Sequence, residues 1–278
     1  MPHVLIATLL HPAGPAPVAG FSVHWSTVIG IGGLVALYVW RARVERQRPT
    51  VGQACAFAGG LVAMFFALNG PLHDLSDYDL FSAHMVQHLV LIFIVAPLLV
   101  AGTPGWMLRP ALRIPGVGPV ARWLTRPSHC FVIFNVTMAA WHLPGPYNLA
   151  MAVHPVHIVE HLMFMATAVL MWWPFLSPLP ELPRLAYPGQ MLYCFLTSIP
   201  MSIVAIYIAM ADHVLYPAYE VAPRVLGLTP LQDQQLGGLI MWIPGGVVFY
   251  VILSLVFFKW SRSGEDHTAA AQVGWRPS

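Results

Sequence analysis

The sequence predicts an all-α, polytopic integral membrane protein: a bundle of seven transmembrane helices, N-terminus outside and C-terminus in the cytoplasm. Three observations lead there. Of its 278 residues 58% are hydrophobic and only 9% charged, with a mean hydropathy of +0.68, which is more apolar surface than one soluble core can cover. Seven stretches nearly free of charge are long enough, or almost long enough, to cross a bilayer. The basic residues fall almost entirely in every second connection between them, and so on one side of the membrane.

A hydrocarbon core of ~30 Å takes ~20 residues of helix. The stretches that meet this are 22–40, 51–69, 80–101, 128–143, 154–176, 188–211 and 235–260. The fourth is short, and Pro144, Gly145 and Pro146 stop it. Trp25, Trp40 and Trp260 fall at span ends, where amphipathic rings sit at the interface. The chain divides into an external tail (1–21), a transmembrane domain (22–260) and a cytoplasmic tail (261–278), with no second domain and no internal repeat. The apolar run Val4 to Leu10 lacks a basic flank, so 1–21 reads as a tail rather than a cleaved signal peptide.

Twelve of the thirteen Lys and Arg residues fit one orientation. Arg41, Arg43, Arg46 and Arg48 follow the first span, and Arg109, Arg113, Arg122 and Arg126 the third. Arg184 follows the fifth, and Lys259, Arg262 and Arg276 close the seventh; Arg224 alone lies opposite. A net charge of +2, without a basic run or a Gly-rich phosphate loop, sets nucleic-acid binding aside. Cys55, Cys130 and Cys194 form no Cys-x-x-Cys pair, which argues against a disulfide framework or a thiolate metal knuckle.

The histidines carry the functional signal. In this topology eleven of thirteen lie on or near the outer side, including His73, His84, His88, His142, His154, His157, His161 and His213. His84 and His88 are four apart, as are His157 and His161, so each pair stacks on one helix face. At ~1.5 Å per residue the two pairs lie at matching depths, roughly 5 to 12 Å below the outer ends of their spans. Glu160, beside His161, is costly against lipid and turns this face inward. Two facing pairs with a carboxylate predict a metal or cofactor site. His142, His73 and His213 are further candidate ligands from neighbouring outer ends, and Asp79, Glu160, Asp233, Gln234, Met85 and Met241 are candidate supporting or docking groups. Gln235 joins them at the outer start of the last span, and capping of its own helix is the structural alternative for Asp233.

Imidazoles alone do not name the metal. Copper, a haem held between facing histidines, and a catalytic zinc with Glu160 or Asp79 as base all remain open. A metal-free scaffold that holds a partner through helix contacts is the fourth reading. No Ser/His/Asp order suggests a serine nucleophile.

Several segments also carry a resemblance. Asp79-Leu80-Phe81-Ser82-Ala83-His84-Met85-Val86-Gln87-His88, Ala96 through Pro104, Trp141-His142, His157 through His161, and Asp233 through Pro244 come in order, each at a helix end. Over about residues 60 to 260 the chain resembles the CtaG-type cytochrome c oxidase assembly factors, polytopic proteins of the bacterial cytoplasmic membrane. The resemblance implies a non-enzymatic role in assembling a haem-copper oxidase, with copper passed to an oxidase subunit's intramembrane copper centre and a soluble copper donor as a possible source. It supplies the metal and the client, which the residues alone leave open.

Overall fold

The computed structural model describes residues 21–274, with side-chain surroundings through Ser263. Residues 1–20, with His3 and His11 and nearly all of the expected external tail, lie outside the described residues; so do the side chains of the tail beyond Ser263. The described chain is helical, with no strand among its elements.

Helix α1 (Trp25–Val44) buries none of its residues, and Trp25 and Ile29 are more than two-thirds exposed, as suits a helix surrounded by lipid. Arg41 and Arg43 occupy its last turn, where cations complement the helix dipole. Arg46, at a φ of 50°, turns the chain. Helix α2 (Val51–Ala67) opens with a reciprocal cap: the Gln53 N–H donates to Thr50 Oγ1, and the Thr50 N–H donates to Gln53 Oε1. Gly70, at a φ of 71°, then breaks the direction. The chain continues as a short helix, Pro71–Asp74, and a π turn, Leu75–Asp79, bent 45° from α2.

After an extended Leu80, helix α3 (Phe81–Val90) runs through a second π turn, Leu91–Val95, into Ala96–Gly102. This is the central span. Leu91 and Val95 pack on Leu61 and Met64 of α2, and Trp172 Nε1 donates at 2.7 Å to the carbonyl of Ile92 inside the π turn. At its lower end a Cβ on Gly102 would meet the Phe57 backbone nitrogen at 2.4 Å, so only glycine permits the approach to α2.

Helix α4 (Pro127–Trp141) is followed by a short helix, Pro144–Ala152, and then by α5 (His154–Leu176), α6 (Tyr187–Ala209) and α7 (Pro230–Gly274). A Cβ on Gly238 of α7 would lie 2.5 Å from the Ala209 nitrogen of α6, so these two backbones nearly touch. Between α3 and α4, Arg109 Nε donates to Glu181 Oε1 at 2.6 Å, and that guanidinium holds the Glu181 carboxyl below its usual range.

Each of the seven expected stretches is occupied by helix. Five helices are long and apolar enough to cross a membrane, or six if α2 with its bent continuation counts as one span. With 15 residues, α4 falls short of that length. The last helix begins at Pro230 rather than 235, because Thr229 and Gln232 form a reciprocal cap there. Short helices also fill 71–79 and 144–152, between the expected spans.

Candidate metal centre

Helix α3 places the first histidine pair. Its N-terminal amides are capped from across the bundle: Asp233 of α7 accepts the Phe81 N–H at 2.6 Å on one oxygen, and the Ser82 N–H at 3.3 Å and hydroxyl at 2.5 Å on the other. His84 is thereby fixed in the first turns and His88 one turn further on, with ring centroids 4.2 Å apart. On α5, His157 and His161 stand 4.4 Å apart on the facing side. Across the gap His84 is 5.7 Å from His157 and 5.9 Å from His161, and His88 is 5.5 Å from His161. The two pairs point at each other, as their spacing requires.

Glu160 turns into the same gap. One of its oxygens lies 3.9 Å from His84 Nε2 and 4.0 Å from His88 Nε2, outside hydrogen-bond distance, and the residue is 1% exposed. Both nitrogens of His84, both of His88 and both oxygens of Glu160 are buried with no hydrogen-bond partner among the described residues. Each such atom costs ~1–3 kcal/mol if left so. Six orphaned atoms of ligating type, converging from two helices, fit a bound cation.

Two overlapping groups of donors are close enough to share an ion: His84, His88 and Glu160, and Asp77, His84 and His157, with the ligand atoms of each group within 4.8 Å of one another. Tetrahedral bonds of ~2.0 Å to nitrogen or oxygen put donor atoms roughly 3.3 Å apart. Closing from 3.9 Å therefore takes small side-chain rotations. Among the described residues only these two groups have this geometry.

Residues 34–263 match the model of the family described as cytochrome c oxidase caa3 assembly factor. The chain belongs to this family. An uncharacterised protein of Mycobacterium bovis is 23% identical over 281 residues, covering 93% of this chain and 42% of that protein. One of Mycobacterium leprae is 24% identical over 261 residues, covering 88% and 39%. The chain thus spans about two-fifths of the length of the curated relatives it matches. No solved structure matches it.

In this caa3 assembly factor family member, the remaining predicted residues fall into distinct places. His142 ends α4 with its ring 5.9 Å from His88; its Nδ1 lies 2.7 Å from the Met138 carbonyl, which can only accept, so Nδ1 carries the proton and Nε2 the lone pair. His73 is held differently. Gln87 Nε2 donates to the Ala67 carbonyl at 2.7 Å and to His73 Nδ1 at 2.9 Å, which leaves the proton on His73 Nε2, 3.4 Å from Asp77 Oδ2. His73 therefore supports Asp77, and Asp77 in turn lies 3.7 Å from His157 Nδ1. Asp79 is buried at the end of the first π turn, its Oδ1 without a hydrogen-bond partner among the described residues.

The structure does not bring His213 to the cluster. Its side chain is 72% exposed and paired with Asp212 at 2.7 Å. The reason lies in α7: Gln234 accepts the Leu215 N–H at 2.6 Å and donates to the His213 carbonyl, and Gln235 donates to the Ala211 carbonyl, so the 211–215 backbone is pinned while His213 faces outward. Asp233 does not cap its own helix, since Thr229 does so, but caps α3 instead. Met85 and Met241 belong to the main apolar core.

Sequence reasoning missed Asp77, Gln87 and the pair Tyr147 and Tyr219, whose hydroxyls bond at 2.8 Å, Tyr219 also donating to the Ser76 carbonyl beside Asp77. The signal for Asp77 was present: His73 and Asp77 are four apart, like the histidine pairs.

Proposed function

We propose that this chain is a cytochrome c oxidase assembly factor that holds one copper ion among the imidazoles of α3 and α5 and passes it to an oxidase subunit. The observation that carries the reading is the set of six orphaned atoms on His84, His88 and Glu160 at the convergence of two helices. Family membership supplies the client, and the client's need for copper selects copper over zinc. Each donor group is two imidazoles and one carboxylate, without sulfur, which suits a divalent ion. The four rings and Glu160 are packed within one small gap, a geometry that favours an ion over the flat plane of a haem.

In this reading the bundle has seven membrane helices, α4 included, with the N-terminus outside and the centre near the outer face of the bacterial cytoplasmic membrane. A soluble donor delivers copper there. No turnover is required, and the supporting bonds of His73, Gln87 and His142 position ligands rather than activate a substrate.

Elemental analysis and an absorption spectrum of detergent-purified protein test the proposal. We expect about one copper per chain, no Soret band, loss of the ion in His84→Ala and markedly weaker binding of it in His88→Ala, with oxidase assembled beside either variant containing haem but short of copper. His213→Ala retains the ion. Unchanged copper content in both of the first two variants refutes the reading.

A further inference from the structure

The proposed copper site contains more donors than one ion takes, and they are arranged in two groups rather than one. Asp77, in the π turn before α3, and His157, in the first turn of α5, come first along the chain; His88 lies one turn past His84 on α3, and Glu160 about one turn past His157 on α5. His84 belongs to both groups. We propose that the centre is a two-stop path for a single divalent ion, with a first stop at Asp77, His84 and His157, a second at His84, His88 and Glu160, and His84 as the shared ligand that hands the ion from one to the other. This deepens the copper-carrier reading and rests on it.

The argument turns on what His84 lacks. A neutral imidazole has one lone pair and one N–H. In a fixed metal site the N–H is tied to a carbonyl or carboxylate, which locks the tautomer and the ring. His142 is locked in this way by the Met138 carbonyl, and the tautomer of His73 is fixed by the Gln87 amide donating to its Nδ1, which turns its N–H toward Asp77. Neither nitrogen of His84 has a hydrogen-bond partner among the described residues, although the residue is fully buried. Nothing ties it to one coordination geometry, so either nitrogen is available as donor.

The single lone pair also limits occupancy. For both stops to be filled at once, His84 would have to lose its last proton and bridge the ions as an imidazolate. One ion at a time requires no such step. No covalent or redox chemistry is involved: the ion exchanges Asp77 and His157 for His88 and Glu160 while His84 stays bound.

The test uses the full chain, purified in detergent, stripped of metal and titrated with a Cu(II) salt. Bound copper per chain and the electron paramagnetic resonance spectrum of the bound ion are the readouts. Three variants are compared: Asp77→Asn with His157→Gln, His88→Gln with Glu160→Gln, and His84→Gln. We expect one copper in the wild type. Each paired variant keeps one copper, bound at least tenfold more weakly, and the two give different spectra because different ligands remain. His84→Gln loses stoichiometric binding.

If either paired variant loses the ion entirely, the centre is undivided and the proposal is overturned. Two coppers per wild-type chain, or retention of copper by His84→Gln, overturns it as well. A wild type that binds no copper removes the carrier function itself, which separates that failure from this one. Where a paired variant elutes as aggregate, the near-isosteric single changes Asp77→Asn and Glu160→Gln replace it: a spectrum altered by only one of them, or altered identically by both, marks a single stop and also overturns the proposal.

Discussion

Removing the Asp233 carboxylate tests whether α7 sets the position of His84. The carboxylate accepts three hydrogen bonds from the first two residues of α3: 2.6 Å from the Phe81 N–H, 3.3 Å from the Ser82 N–H and 2.5 Å from the Ser82 hydroxyl. Hydrogen bonds to a charged group contribute ~1.5–3 kcal/mol each, and the 3.3 Å bond adds little. Allowing the Ser82 hydroxyl to find another acceptor, Asp233→Ala costs about 3 kcal/mol and leaves the buried Phe81 amide unpaired. Asparagine normally replaces aspartate well at a cap. Here it does not, because the bonds use both oxygens and Asn has only one; Asp233→Asn should cost about half as much. Thermal unfolding of metal-free protein in detergent reads the stability, and copper titration reads whether His84, three residues inside the cap, still meets α5. Wild-type stability in the alanine variant, or equal stability of Asn and Asp, would show that α7 does not hold this helix end.

Three further outcomes follow from the same geometry. Gln87→Leu removes the donor to both Ala67 and His73 and the acceptor of the Ser76 hydroxyl, and should lower stability by about 2–4 kcal/mol while weakening copper binding through a misplaced Asp77; denaturant titration and copper titration check each half. Gly102→Ala and Gly238→Ala force a methyl against backbone at 2.4 and 2.5 Å, and each should destabilise by about 1–3 kcal/mol in the same unfolding assay. Gly32→Ala and Gly33→Ala, with nothing within 4 Å, should leave the melting temperature at or above that of the wild type.

The long helices were legible because lipid demands a simple pattern, and the His84/His88 and His157/His161 pairs were legible because i,i+4 spacing commits two rings to one face. Glu160 was legible for a different reason: a carboxylate in an apolar span has few places to go but inward. What escaped depended on backbone irregularity and on contacts far apart in sequence. Asp77 sits in a π turn that follows the 45° bend after α2, while its sequence neighbours Asp74 and Asp79 make the segment read as an acidic loop. Asp233 lies in the first turn of α7 yet serves α3, 151 and 152 residues away. His213 has the right residue type beside the right helix end, and only the side-chain amides of Gln234 and Gln235 decide that it faces out.

Charge balance gives the last step. Asp77 and Glu160 are both buried beside the rings, and carboxylate charge is expensive to hold in such surroundings. One divalent ion neutralises the two of them, a monovalent ion leaves one negative charge, and a second divalent ion would leave two positive ones. The pair therefore selects for a single divalent ion, independently of ligand softness. Glu160→Gln should shift that preference. At a separation near 4 Å and an effective dielectric of about 20, one charge is worth ~4 kcal/mol to a monovalent ion and twice that to a divalent one. Relaxation reduces the difference, but the ratio of Cu(II) to Ag(I) affinity should fall at least tenfold, read by competition titration of the wild type and the variant. An unchanged ratio would mean that Glu160 does not sense the ion, and that the six orphaned atoms owe their burial to something other than coordination.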